Sequence, residues 1–180
     1  MLFRSVHAFG DPWVIEGQGS AGIEITAQLG REPSRILACC GGGGLAAGLA
    51  LACPGAEIYP VEPVGWDMVG QSLAAGEIVK AGADAPMTIC DALQPIATKQ
   101  INLDVLAGRS SPGIAVTDDE VRAAQRFAFS RLHLVVEPGG AAALAAALAG
   151  KAPLDECTVI MLTGGNVDPQ AYASTIAGRD

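Results

Sequence analysis

The sequence predicts an α/β domain built in three layers, a parallel sheet flanked on both faces by helices. Three observations carry that prediction. Short apolar runs alternate with helical stretches along the chain, the βα rhythm of a parallel sheet. Two of the runs, Arg35-Ile36-Leu37-Ala38-Cys39 and Thr158-Val159-Ile160-Met161-Leu162, pass straight into glycine-rich turns. The 180 residues, half of them apolar and 17% charged, have the length and composition of one globular domain.

Taken in order, Ser20 through Leu29 reads as a helix with Gly30 at its C′ position. A strand over 35–40 leads into Gly41-Gly42-Gly43-Gly44, and Leu45 to Ala52 forms the helix behind it. The next strand is Glu57-Ile58-Tyr59-Pro60-Val61-Glu62, whose proline predicts a bulge or an edge position. A helix follows from Trp66 to Ala75. The stretch 76–96 is loop-rich, with Met87-Thr88-Ile89 a candidate short strand. Thr98–Ala107 is helical and Ile114-Ala115-Val116 is strand-like.

Thr117-Asp118-Asp119-Glu120 fits a capping box, with Thr117 as N-cap and Glu120 reaching back. The helix it starts carries Val121, Ala124, Phe127, Ala128 and Leu132 at helical spacing, and His133 falls within it as a packing or surface residue. Pro138-Gly139-Gly140 opens an alanine-rich helix to about Ala149. A last strand, 157–162, delivers Thr163-Gly164-Gly165-Asn166.

Charge and cysteine usage narrow the function classes. A net charge of −8 argues against nucleic acid and anionic membrane as partners. No apolar run is long enough to span a bilayer and no secretory signal opens the chain. The five cysteines (Cys39, Cys40, Cys53, Cys90, Cys157) form no CxxC pair or Cys/His cluster. They read as free buried thiols in a reducing cytoplasm.

The chemistry sits in the glycine turns. A glycine run between a strand and a helix lets successive backbone N–H groups turn inward around a phosphate, where the helix N-terminus adds positive potential. Hydrogen bonds to a charged acceptor contribute roughly 1.5–3 kcal/mol each, so a few amides anchor a phosphate without lysine or arginine. Gly41 to Gly44 with Leu45 therefore read as a phosphate cup, and Thr163-Gly164-Gly165 as another strand-end turn of the same sheet. A dinucleotide site is the weaker reading, because four consecutive glycines lack the GxGxxG spacing.

With both motifs in these settings, the chain resembles the fold-type II pyridoxal-phosphate (PLP) enzymes, and within them the threonine/serine dehydratase and serine racemase family. The matching segments run in order: His7-Ala8-Phe9-Gly10-Asp11-Pro12, Gly17-Gln18-Gly19-Ser20, Gly41–Leu45, Val61-Glu62-Pro63, Asp91-Ala92-Leu93, Val135–Ala141 and Thr163–Asp168. The resemblance implies the tryptophan synthase β-like fold, with this chain as part of its large domain. It implies that Gly41, Gly42, Gly43, Gly44 and Leu45 hold the PLP phosphate, and that Thr163 faces the pyridine nitrogen where relatives carry serine or cysteine. Gly164 and Gly165 would let the ring approach the backbone. Glu137 falls where the family places a carboxylate near the ring; a helix-entry acid before Pro138 is the alternative. Glu62 matches a divalent-cation ligand, for Mg²⁺ or Ca²⁺. Met68 stands where metal-binding members have a second carboxylate, Asp67 is one position off, and a structural use of Glu62 at a strand end is the other reading.

Two parts of the family's machinery are missing. The lysine that carries PLP and removes the substrate's α-proton lies in a Ser-Xaa-Lys-Xaa-Arg-Gly type segment, and Lys80, Lys99 and Lys151 stand in no such context. The loop that grips the substrate carboxylate is missing too. Both lie N-terminal to everything seen here, so residues 6–180 read as the C-terminal part of a catalytic domain. Leu2-Phe3-Arg4-Ser5 has no counterpart and is what the adapter string CTCTTCCGATCT encodes; residues 1–5 read as a non-native leader, with a natural start at Met1 as the alternative. The implied activity of the intact enzyme is ammonia release from L-threonine or L-serine, giving 2-oxobutanoate or pyruvate. Serine or hydroxyaspartate racemisation or dehydration, and a non-catalytic phosphate-binding pseudo-enzyme, are the alternatives. A homodimer is expected for the intact enzyme. A mean hydropathy of +0.35 predicts that the chain by itself is poorly soluble or oligomeric.

Overall fold

The computed structural model describes residues 5–179. Met1 to Arg4, most of the segment read as a leader, and Asp180 lie outside the described residues. Four parallel strands, β1 (Arg35–Cys39), β2 (Glu57–Pro63), β3 (Ile114–Val116) and β4 (Thr158–Ile160), form one sheet in the order β3-β2-β1-β4. Helices α1 (Pro12–Gln18) and α2 (Ser20–Leu29) precede it. Helix α3 (Gly44–Ala52) links β1 to β2, and α4 (Met68–Ala75) and α5 (Gln100–Leu106) lie between β2 and β3. Helices α6 (Asp118–Phe127) and α7 (Pro138–Leu148) lead to β4, and α8 (Pro169–Ile176) follows it.

Strand alternation sorts the core into two layers of side chains. Leu37, Cys39, Tyr59 and Val61 face α6 and α7, packing on Val121, Ala124 and the buried residues 141–147, alanines but for Leu144. Ile36, Ala38, Cys40 and Ile58 face the other way, onto Ile15, Leu49, Val69 and Leu106. The three layers expected from the sequence are the observed ones. Small residues set the spacing: a Cβ on Gly48 of α3 would stand 2.6 Å from the Ile15 carbonyl and 2.7 Å from the Gly19 nitrogen, so α1 rests directly on α3.

Local signals are realised in detail. Gly30 takes a left-handed conformation at φ 67° as the stop of α2. The Thr117 hydroxyl accepts from the Glu120 N–H at 3.3 Å while the Glu120 carboxylate accepts from the Thr117 N–H at 2.8 Å, the reciprocal capping box.

Pro60 differs from expectation in an instructive way. β2 is not an edge: it pairs with β1 on one side and β3 on the other. Ile58 N–H donates to Arg109 and Val64 N–H donates to Val116, so even-numbered residues of β2 turn their nitrogens toward β3. Ile58 pairs with Ser110 and Val61 with Ile114, three steps on β2 against four on its neighbour. The extra residue is a bulge around Pro112-Gly113, placed where the proline has no N–H to give. Three further expectations are corrected. Met87–Ile89 forms no strand, α4 begins at Met68 rather than Trp66, and His133 lies past the helical turn in a left-handed conformation at φ 58°.

Among the described residues no helix is long and apolar enough to cross a membrane. β4 is only half-buried, among the described residues its outer edge has no strand partner, and Trp13, Ile23 and Met87 are at least 60% exposed. An unpaired strand edge and exposed apolar side chains each promote association. The isolated chain is expected to elute as oligomers on size exclusion. A monodisperse monomer with one cooperative thermal transition would count against that.

Candidate functional site

β1 ends at Cys39 and the chain turns through Cys40 to Gly43 into α3. Gly43 has φ 94°, open to glycine and strained for other residues. A Cβ on Gly42 would collide with the Phe9 ring, and one on Gly44 would stand 3.1 Å from the Phe9 backbone. The first N–H groups of a helix have no partner within it, and they carry its positive end. Helix α7 begins on the same spot: Gly139 and Gly140 from its first turn line a cavity with Gly41 to Gly44, Leu45 and Ala46. Two helix N-termini thus converge on one cavity of about 550 Å³. Such convergence favours an anion, and among the described residues no lysine or arginine lines the cavity.

The opposite wall comes from the end of β4. Met161 N–H donates to Leu37 at 2.9 Å, extending the strand and carrying Thr163 to the cavity beside Cys39. The Cys39 sulfur and the Thr163 hydroxyl are 3.1 Å apart. Burial raises the Cys39 thiol's pKa, against the opposing hydrogen bond from Thr163, and burial raises that of Cys40 further. Both are neutral thiols at ordinary pH.

Glu137 lines the cavity, and its side chain makes no bond to its own helix. Its carboxylate instead accepts from the Asn166 N–H at 2.9 Å and lies against Gly164, where a Cβ would collide with it. Its own N–H donates to the Gly164 carbonyl at 2.9 Å. Glu137 therefore braces the turn that presents Thr163. Gly165 sits outside the lining, and a Cβ there would press on the Val135 carbonyl at 3.1 Å.

Of the residues expected at a site, Gly41 to Gly44, Leu45, Glu137 and Thr163 meet around the cavity, with Gly164 behind Glu137. Glu62 and Asp67 lie elsewhere. Glu62 is fully buried and accepts from the N–H groups of Val69 (2.9 Å) and Gly70 (2.8 Å), capping α4 from the neighbouring strand. Burial pushes its pKa up to about 8, the two amides pulling the other way. Both oxygens are engaged, and among the described residues no three His, Cys, Asp or Glu side chains cluster as ligands. That donor set does not fit a hard cation, which takes six or more oxygens. MgCl₂ or CaCl₂ is expected to leave the melting temperature unchanged. A rise that grows with ion concentration would restore the ligand role.

Comparison with known proteins places this geometry. The family described as "Pyridoxal-phosphate dependent enzyme" matches residues 3–164. The chain belongs to that family. It is 35% identical over 167 residues to a serine racemase of Schizosaccharomyces pombe, covering 90% of this chain and 51% of that protein. It is 33% identical over 183 residues to the L-threo-3-hydroxyaspartate ammonia-lyase of Saccharomyces cerevisiae, covering 99% and 55%. Among solved structures, the T.th. threonine deaminase superposes with a TM-score of 0.83 at 38% identity, over 91% of this chain and 57% of that one. Threonine deaminase isoform 2 of Solanum lycopersicum gives a TM-score of 0.86 at 28% identity, over 97% and 50%. The chain spans about half the length of the curated relatives it matches. The resemblance read from the motifs is thus the family found.

For this PLP-enzyme chain, sequence reasoning missed four contributors. Phe9, read only as part of a matching segment, is the floor under Gly42 and Gly44. Cys39, read as an inert buried thiol, touches Thr163. Thr98 and Asn102, which carried no motif, both hydrogen-bond the glycine loop.

Proposed function

We propose that this chain holds the cofactor half of a PLP-dependent ammonia-lyase acting on L-threonine or L-serine. One observation carries the reading: a glycine cup at two helix N-termini and a neutral hydroxyl on a braced turn line the same cavity. The residues present fit PLP. The cradle from Gly42 to Gly44 has no room for side chains, and the cavity falls within the range of small-molecule sites. Bound PLP supplies an electron sink for the carbanion formed at an amino acid's α-carbon.

The chain's own residues divide the remaining work. Amides of Gly41 to Leu45 would bind the phosphate and fix the cofactor's position. The Thr163 hydroxyl would face the ring nitrogen; being neutral, it would not hold that nitrogen protonated as a carboxylate would, a setting suited to β-elimination. Glu137 keeps the Thr163–Asn166 turn in place through Asn166 and Gly164. Among the described residues no lysine lines the cavity: Lys80 and Lys99 are exposed, and Lys151 pairs with Glu120 at 2.7 Å and donates to the Ala115 carbonyl at 2.9 Å. The reading therefore assigns the proton-abstracting lysine and the carboxylate-gripping loop to a segment upstream of residue 6. The homodimer and the cytoplasmic setting belong to the same proposal.

The test is an assay for ammonia and 2-oxo acid from L-threonine, L-serine and L-threo-3-hydroxyaspartate. It is run on the 180-residue chain and on the protein carrying a Ser-Xaa-Lys-Xaa-Arg-Gly segment upstream. The short chain is expected to be inactive, and the longer protein to turn over threonine or serine. Formation of a D-amino acid instead would favour the racemase reading. No product from any substrate would leave a phosphate-binding module without turnover.

A further inference from the structure

The glycine loop is held from behind by two side chains that no motif announces. The Gly42 carbonyl accepts from the Thr98 hydroxyl at 2.9 Å and from the Asn102 side-chain amide at 2.8 Å. The same Asn102 nitrogen donates to the Phe9 carbonyl at 2.9 Å, tying the floor of the cup to its rim. Thr98 is 2% exposed and Asn102 fully buried, and neither lines the cavity. These bonds have one sense only, since a carbonyl accepts and the hydroxyl and amide must donate. Asn102 holds them although its own Oδ1 is buried with no partner, an uncompensated desolvation cost. Leucine of similar size would avoid that cost, so the orphaned oxygen points to a role for the nitrogen.

That role follows from peptide geometry. In a planar trans peptide the C=O and the next N–H point in opposite directions. With the Gly42 carbonyl drawn toward α5 by two side chains that do not line the cavity, the Gly43 N–H points the other way, toward the Cys40 thiol. A tetraglycine loop has the greatest freedom of any sequence to flip such a peptide, and a flipped one would present an oxygen to the anion. We infer that Thr98 and Asn102 are positioning residues that lock the Gly42–Gly43 peptide with its carbonyl turned away from the cavity, making the cup selective for a phosphate-bearing ligand. The inference rests on the proposed reading of the cup as the cofactor's phosphate site.

The experiment separates the two. Pyridoxine 5′-phosphate and pyridoxine, which cannot couple to lysines, are titrated calorimetrically into the 180-residue chain and into Thr98→Val/Asn102→Leu. The wild-type chain should prefer the phosphorylated ligand by about tenfold or more, the preference should fall toward unity in the double variant, and pyridoxine affinity should stay unchanged. A wild-type chain with no preference overturns the phosphate reading, and the lock with it. A double variant that keeps the full preference, or loses both ligands equally, overturns the lock alone. Thr98→Val, which keeps the side chain's shape, guards against misfolding and should show part of the loss. Thr98→Ser, which keeps the hydroxyl, should retain the wild-type preference; its loss would count against the lock.

Discussion

Gly43→Ala is expected to abolish phosphate-dependent binding by the chain and to lower its stability by about 1–3 kcal/mol. Two independent effects add. Gly43 sits at φ 94°, where an alanine is strained whatever surrounds it. The new methyl would also stand 3.3 Å from the Asn102 Cβ, the side chain that holds the loop. Relief of either moves the peptide whose carbonyl Thr98 and Asn102 hold, so stability and binding fall together. Gly17→Ala is the matched control. Gly17 lies in α1 with nothing within 4 Å of where a methyl would stand, and alanine there should stabilise by about 0.5–1 kcal/mol. Melting curves and pyridoxine 5′-phosphate titrations on the two variants decide the matter. A Gly43→Ala chain that binds as tightly as wild type would remove the cup from the site.

The contrast between those glycines shows what the sequence could reveal. Elements with strong local signals were legible: the Thr117 capping box, the Gly30 stop and the alternation that splits Leu37 from Ile36 are consequences of neighbouring residues. The cup itself was legible because four glycines between a strand and a helix leave few other uses. Pro60 was half legible. Its missing N–H required a broken ladder, but whether that meant an edge or a bulge depended on residues 110–114, about fifty positions away.

The rest of the site was hidden for the same reason. Cys39 meets Thr163 across 124 positions, and Asn102 meets Gly42 across 60. Neither pair has a spacing rule. Glu62 and Glu137 show a further difficulty, since both are single acids at strand or helix ends. One spends its carboxylate on the amides of α4 and the other on the turn that carries Thr163. Only the fold separates an acid that stabilises a helix from one that stabilises a site.

Thr163→Ala, in the protein extended with its upstream lysine segment, is expected to lose about 10²-fold or more in turnover. The hydroxyl is positioned rather than incidental: Cys39 lies 3.1 Å from it, and Glu137 fixes the turn from the other side. Burial keeps Cys39 a neutral thiol, so either group can donate across that contact, and with Cys39 as donor the hydroxyl proton would be free for the ring nitrogen of the proposed reading. Alanine removes that contact and leaves the fold's main chain as it was. Thr163→Ser should keep most of the rate. Thr88→Ala is the comparison, because Thr88 spends its hydroxyl on Asp118 at 2.6 Å, away from the cavity, and should cost some stability with little turnover. Melting temperatures measured beside kcat separate the two effects. Equal turnover in the Thr163 and Thr88 variants would end the ring-nitrogen role. A large loss at Thr163 that serine rescues would show that one neutral hydroxyl, held between a thiol and a carboxylate-braced turn, sets how strongly the cofactor draws electrons.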